Sequence, residues 1–415
     1  MNKTAGHILA VFSIALLLSP LRAVSAADSL VVEKLEGPVT HAEMQAFKTF
    51  LREMPVPTNN LRNAMVYGGG GTAVEALGRM VEISGDQELL DRMISFADRM
   101  LAGRNDPQTG VVVWTGEHEL VWPNQAPEDG KPVYSAAENG DVVGHVAYAA
   151  KMILEHRKLW DLKVAGGDPF KYGATYRERA IRYVREMDRT IDSFILKWMV
   201  NPRTLRYQFP DSPLYEAAAR PGSAAAPVPW NQQAMLNNGF QRLAECHILL
   251  GDDTSRVKRY DAIVKASVDW FFSMVQRVTV QGHLCYKWAY VAEGPLRHIE
   301  DAGHGGEDIV GLYRAYRSGR YGITPTMMEP FANTVLYVMR TPEGKFMPRV
   351  DGSAGKHPPG GLHSQWLDLC EFAPELFAIF YEVSRGRIKS SPEITASILW
   401  HRHRRASINM PRTAP

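Results

Sequence analysis

Residues 73–101 read AVEALGRMVEI-SGD-QELLDRMISFADRML: two runs, Ala73 to Ile83 and Leu89 to Leu101, joined by Ser84-Gly85-Asp86. In each run apolar residues return every three or four positions, the period of an amphipathic helix. A glycine relieves the left-handed strain at a helix end, and an aspartate behind it can accept the free N–H groups of the next helix. The junction therefore reads as the corner of a helical hairpin. Related corners recur at Gly166-Gly167-Asp168 and Gly251-Asp252-Asp253, with a weaker one at Ser318-Gly319-Arg320. They stand about 70 to 85 residues apart, and helical runs follow them at Tyr176 to Trp198, Val257 to Val275 and Pro325 to Met339. Ala42 to Met54, with Met44, Phe47, Phe50 and Leu51, is a further run.

Between the hairpins lie long loops, Arg104 to Pro132, Asn201 to Pro229 and Thr341 to Gly361, which hold much of the Gly, Pro and Trp. Strand signals are confined to Gly110 to Thr115 and His283 to Tyr290, and no βαβ alternation appears. Hairpins that each expose an apolar face can close into an α/α toroid with its loops gathered at one mouth. An open solenoid is the plainer alternative, but its turns are short and regular. The chain is expected to be all-α with little β structure. The basic, Pro-containing stretch from Lys389 to Pro415 is expected to be peripheral.

The 415 residues are 45% hydrophobic, 22% charged and 10% aromatic, with a formal net charge of +2. This is a globular composition with no general electrostatic reason to bind nucleic acid. The three cysteines, Cys246, Cys285 and Cys370, are too few and scattered for a disulfide framework or zinc ribbon. Lys3, the apolar run Ile8 to Leu18 and Val24-Ser25-Ala26 have the layout of a signal peptide, residues 1–26, which leaves residues 27–415 as a single catalytic domain. The run is too short to serve comfortably as a membrane anchor. Secretion or a periplasmic location is expected.

Several clusters carry chemistry. Tyr286 and Tyr290 precede Arg297, His298, Glu300 and Asp301, then His304, Glu307 and Asp308. Acid–base groups at this density gather in clefts, although Glu300 and Asp301 could cap a helix and Tyr286 could pack in the core. Glu138-Asn139-Gly140-Asp141 leads to His145, which is four residues beyond Asp141 and so on the same helical face. Trp230 is followed by a face of neutral amides, Gln233 and Asn237, with Asn238 beside it; such a face suits sugars unless it is satisfied internally. Arg62 and Tyr67 flank a glycine-rich stretch, and His363 sits in Gly360-Gly361-Leu362-His363. Six tryptophans in or beside loops, Trp114, Trp122, Trp198, Trp230, Trp288 and Trp366, tilt toward a carbohydrate cleft. No His-Glu-x-x-His, Cys-x-x-Cys or Gly-x-Ser-x-Gly occurs, so neither a zinc site nor a serine elbow is expected.

Asn60-Leu61-Arg62-Asn63 with Met65-Val66-Tyr67-Gly68, Glu138-Asn139-Gly140-Asp141-Val142 with Gly144-His145, Asn237-Asn238-Gly239-Phe240, and Glu300-Asp301 with His304 and Asp308 resemble bacterial polysaccharide lyases of family 38. The resemblance covers most of the chain after residue 26. It implies an α/α toroid of about seven hairpins, β-elimination on a 4-linked polyuronate such as alginate or glucuronan, a tyrosine as proton-transfer residue, and no cofactor or metal. The tyrosine is Tyr290 or Tyr286. Asn238, Arg297 and His304 would neutralise the substrate carboxylate; Arg62, Asn139, His145 and Trp230 would position the chain, with Tyr67, Asn237, His298, Glu300 and His363 completing the binding set. The partner is then an acidic polysaccharide. A different class remains open: a toroid glycoside hydrolase, with Glu138 or Asp141 opposed to Asp301, Glu307 or Asp308. A non-catalytic periplasmic sugar-binding protein is the third reading.

Overall fold

The computed structural model describes residues 29–294 and 297–409. The expected signal peptide, residues 1–26, lies outside the described residues. Among the described residues thirteen α-helices follow one another: α1 (His41–Glu53), α2 (Gly69–Ser84), α3 (Gln87–Ala102), α4 (Asn139–Glu155), α5 (Tyr176–Thr190), α6 (Leu196–Trp198), α7 (Pro213–Ala218), α8 (Trp230–Leu250), α9 (Thr254–Met274), α10 (Ala302–Ser318), α11 (Pro325–Asn333), α12 (Glu375–Ile388) and α13 (Pro392–Asn409). A 3₁₀ segment spans Ser364–Glu371, and one antiparallel hairpin pairs β1 (Gln276–Val280) with β2 (His283–Lys287).

The Ser84-Gly85-Asp86 corner forms as its chemistry requires. Gly85 takes φ 61°, and the Asp86 side chain accepts from Leu89 N–H at 3.1 Å. Gly251 ends α8 at φ 71°, and Asp253 caps α9 through Arg256 N–H. The Gly166-Gly167-Asp168 corner does not border a helix. There Asp168 ties a loop by accepting from Tyr172 and Gly173, while Thr175 and Glu178 form the capping box of α5.

The helices close on themselves. α2 packs on α4, α4 on α8, α8 on α10, α10 on the Ser364–Glu371 segment, that segment on α13, and α13 back on α2. Outside this ring α3 and α5 cover α4, α9 covers α8, α11 and α12 lean on the 3₁₀ segment, and α1 lies on α3 and α13. The fold is an all-α, α/α toroid, with six inner members among the described residues where about seven hairpins were expected. Position in the ring explains composition: α4 is wrapped by neighbours and buries almost its whole length, whereas α5 buries one stripe and exposes its basic face.

Two glycine motifs set the tightest contact in the ring. A Cβ on Gly140 would stand 2.5 Å from Leu236 Cα, and one on Gly239 would stand 2.9 Å from Gly140 O. Glycine lets α4 and α8 approach until their backbones touch. The segments Glu138–His145 and Asn237–Phe240 are thus brought side by side.

The C-terminal stretch departs from expectation. α13 is an inner ring helix, not a peripheral tail, with Thr395, Ile398 and Leu399 buried. Its basic residues meet acidic partners remote in sequence: Arg402 binds both oxygens of Glu43, His401 contacts Asp368 at 2.8 Å, and Arg404 contacts Glu371 at 3.2 Å. Gly110 to Thr115 forms no strand beyond a single bridge, Val113 to Val133. All three cysteines are buried and unpaired, in keeping with packing roles. No helix among the described residues is long and apolar enough to cross a membrane.

Candidate active site

Each of four ring helices sends charged side chains to one central cluster. From α2 comes Glu75, from α4 Asp141 and His145, from α8 Asn238 and Arg242, and from α10 Glu307 and Arg314. Arg242 grips Glu75 with two parallel bonds, Nη1 to Oε1 at 2.7 Å and Nη2 to Oε2 at 2.9 Å. His145 adds a contact from Nδ1 to Glu75 Oε1 at 3.1 Å, and its Nε2 lies 3.1 Å from Val66 O and 3.5 Å from Asp141. Burial alone would drive the Glu75 carboxyl up, but Arg242 and His145 outweigh it and hold the pKa well below the usual range. Burial opposes a charged imidazole too, yet Asp141 and Glu75 raise His145 to about 9. His145 is therefore a cation at neutral pH.

Asp141 and Glu307 occupy opposite environments. The Asn238 amide donates to Asp141 Oδ1 at 2.6 Å, and protonated His145 stands behind Oδ2. This is the donor set an ionised carboxylate accepts. Glu307 is half-buried, lies in the field of the carboxylates of Asp141 and Glu393, and is only partly relieved by Arg314; burial first and then those charges push its pKa up to about 8. Gln365 steadies it, donating to Oε1 at 2.7 Å. Glu138, at the entry to α4, is raised chiefly by burial and receives the Tyr134 hydroxyl at 3.2 Å. Arg314 Nη1 is enclosed without a hydrogen-bond partner, as is Asn238 Oδ1.

Gly144 makes room for this arrangement. A Cβ there would lie 2.3 Å from the Asn238 carboxamide. Gly144→Ala is expected to cost about 1–3 kcal/mol through overpacking and to push Asn238 off Asp141. Urea unfolding checks it; an unchanged midpoint would contradict the close-approach account.

Tyr67 closes the cluster from above. Arg62 and Asn63 take φ 58° and 60°, strained values for side-chain-bearing residues, and Asn63 donates to the Tyr67 hydroxyl. Half of Tyr67 is exposed, but its hydroxyl lies near Glu138, Glu307 and Asp141. Burial first, then those carboxylates, push it up to about 12. Arg62 itself is exposed on the rim.

Tyr290 borders the same space. Its ring stacks on exposed His298 at 5.0 Å and tilts against His304 at 5.1 Å. Burial and the carboxylates of Glu300, Glu138 and Asp308 raise its pKa, with Arg220 opposing. The net shift is upward, away from the range of a proton acceptor. His363 lies near Gly303 and within the field of Glu393, Asp301 and His304. Arg297 is exposed on the loop beyond Tyr290.

Other expected site residues are structural. Tyr286 is buried edge-on against Phe331, 4.9 Å between centroids. Trp230 is locked between Trp270 and Phe271 at 5.1 and 5.2 Å. Asn237 spends its amide on Tyr207 and Ser267. Asn139 accepts from Trp122 N–H and donates to Ser135 and Ala136, pinning the loop to α4. Trp114, Trp122, Trp288 and Trp366 are likewise buried, so they offer no sugar platform. Each of these side chains finds packing or hydrogen-bond partners within the protein, although Trp230 and Asn237 also line a small cavity between α8, α9 and α10.

Glu75, Arg242, Arg314, Gln365 and Glu393 were not singled out from sequence. Helical spacing holds the signal: Arg242 is four residues beyond Asn238, Glu75 four beyond Gly71, and Arg314 seven beyond Glu307.

No protein-family model matches the chain, and no curated protein matches it. Among solved structures, a family 76 glycoside hydrolase from a bovine Bacteroides thetaiotaomicron strain is similar at a TM-score of 0.41 and 12% identity. The alignment covers 80% of this chain and 54% of that one, so the chain spans about half that structure's length. That structure is a glycoside hydrolase and not a family 38 lyase.

Proposed function

We propose that the protein is a glycoside hydrolase working with Glu307 as general acid and Asp141 as its ionised partner. One observation carries the reading: burial and the neighbouring carboxylate of Asp141 raise Glu307 to about 8, while Asp141 accepts the Asn238 amide. Such a pairing assigns acid and base roles. Protonated Glu307 gives its proton to the glycosidic oxygen as the C–O bond breaks. Asp141, held by Asn238 and His145, attacks the anomeric carbon or takes a proton from the water that does. Glu138, Tyr67 and Tyr290 line the approach. On this reading the protein acts outside the cytoplasm, in keeping with residues 1–26.

The test is a panel of neutral and acidic polysaccharides, read both as new reducing ends and as ultraviolet absorbance of unsaturated sugars. Reducing ends without absorbance are expected. Tyr286→Phe and Tyr290→Phe should each retain activity within about tenfold, because neither hydroxyl moves the proton in this mechanism. Elimination on an acidic polysaccharide remains the second reading. What favours it is the unpartnered donor Arg314 Nη1, in the same cluster as a cationic His145, which would suit a uronate carboxylate. Absorbance that appears with cleavage and vanishes in a tyrosine variant would establish that reading and sink the hydrolase.

A further inference from the structure

At the start of α10 stands a second group of carboxyls that the hydrolytic steps leave unused. Glu300 and Asp308 are 0% and 3% exposed. One oxygen of each is held: Asp301 N–H donates to Glu300 Oε1 at 2.9 Å, and the Trp288 indole donates to Asp308 Oδ2 at 2.7 Å. The other oxygens, Glu300 Oε2 and Asp308 Oδ1, are enclosed with no donor from the rest of the protein, and the two carboxyls lie within hydrogen-bond reach of each other. Orphaned carboxyl oxygens away from water are costly unless a proton or a cation sits on them.

The neighbours favour a cation. Glu300, Asp301 and His304 each present a ligand atom, and all three atoms lie within 4.8 Å of one another. His304 Nδ1 is 2.8 Å from Asp301 Oδ2 and 4.0 Å from Glu300 Oε1. Around a small divalent ion with ligands near 2.1 Å, cis ligands stand about 3 Å apart and trans ligands about 4.2 Å. The observed pairs fit one cis and one trans edge. Asp301 is braced for such a role, because its Oδ1 accepts from Gly303 and His304 N–H at 2.8 and 2.9 Å, while its Oδ2 meets His304 Nδ1 in a hydrogen bond whose proton an ion would displace. The side chains of Asp301 and His304 are 43% and 41% exposed, which gives an ion a way in.

We propose that Glu300, Asp301, His304 and Asp308 bind one divalent cation of the manganese or zinc kind. Three carboxylates alone would suit calcium or magnesium; the imidazole shifts the preference toward transition metals. The ion would tie the loop carrying Tyr290 to α10, and it takes no part in the hydrolase reading.

The test uses the full untagged chain, stripped with chelator and titrated calorimetrically at neutral pH with MnCl2, ZnCl2 and CaCl2. One equivalent of Mn2+ or Zn2+ should bind at least tenfold more tightly than Ca2+ and raise Tm. Glu300→Gln and His304→Gln should each weaken binding at least tenfold; His304 is half-exposed, so its variant keeps the test available if Glu300→Gln does not fold. The proposal is overturned if neither Mn2+ nor Zn2+ binds stoichiometrically, if Ca2+ binds more tightly, or if a folded variant binds as the parent does. Failure to bind would mean that Glu300 and Asp308 share a proton instead.

Discussion

Glu307→Gln is expected to lower kcat/KM by at least about 10³-fold, within the range general acid catalysis supplies. Asp141→Asn should lose as much or more, since it removes the group that completes the displacement. The amide introduced by Glu307→Gln keeps the shape of the side chain and can still meet Gln365, so folding should survive. The pH profile gives a sharper reading. A general acid must be protonated, so kcat/KM should fall as pH rises through about 8, the value to which burial and the carboxylates of Asp141 and Glu393 push Glu307. In Glu307→Gln that alkaline limb should vanish from the residual activity. Good leaving groups need little protonation, so an activated aryl glycoside should recover more of the lost rate than a natural linkage. Hydrolysis that persists at full rate in Glu307→Gln would show that another carboxyl, with Glu138 the nearest candidate, carries the proton.

Hairpins were legible in the sequence because their signals are local. Gly85 and Asp86 need only neighbours four residues away to form a corner, and apolar spacing reports which face of α2 and α3 turns inward. Ring closure was legible only in part, because it depends on partners far along the chain. The basic stretch after Lys389 reads as a solvated tail until Glu43, 359 residues from Arg402, supplies its counter-charge. The candidate site divides the same way. Glu138, Asp141 and Glu307 could be named from their clusters, but short motifs could not tell a catalytic amide from a structural one. Asn237 and Asn238 are adjacent, yet a helical step of one residue sends the first to Ser267 and the second to Asp141. Tryptophans misled for a related reason: large rings serve equally to fill a core and to face a sugar, and here the thick walls of the ring absorb them.

Arg242→Ala should destabilise the protein by about 3–5 kcal/mol, the range for removing one partner of a buried ion pair. Its guanidinium is 6% exposed at the side chain and holds both oxygens of Glu75, which is 23% exposed. Truncation leaves Glu75 with only the His145 contact and the field of Arg314, and it also empties the space over the Tyr148 ring, where the guanidinium sits 3.7 Å from the centroid. Pairing Arg242→Ala with Glu75→Gln should recover part of the loss, because the uncompensated charge goes with the carboxylate. The same cluster sets the pH dependence of stability. Glu75 has a depressed folded pKa, so its contribution is present above 4.5 and fades as pH falls through the folded value. His145 is raised from 6.5 to about 9, so its contribution is complete below 6.5 and is lost as pH rises through about 9. Glu307, raised from 4.5 to about 8, likewise favours the fold at low pH and loses that contribution as pH rises through about 8. Stability should therefore be greatest near pH 4.5 and decline from there to about 9, first through Glu307 and, above 6.5, through His145 as well. His145→Gln should flatten part of that decline. Urea midpoints for the parent, Arg242→Ala, the double variant and His145→Gln across this range provide the measurement. A cost under about 1 kcal/mol for Arg242→Ala would mean that the pair is no better than a surface salt bridge. The cluster would then no longer explain how Glu307 is kept protonated beside Asp141.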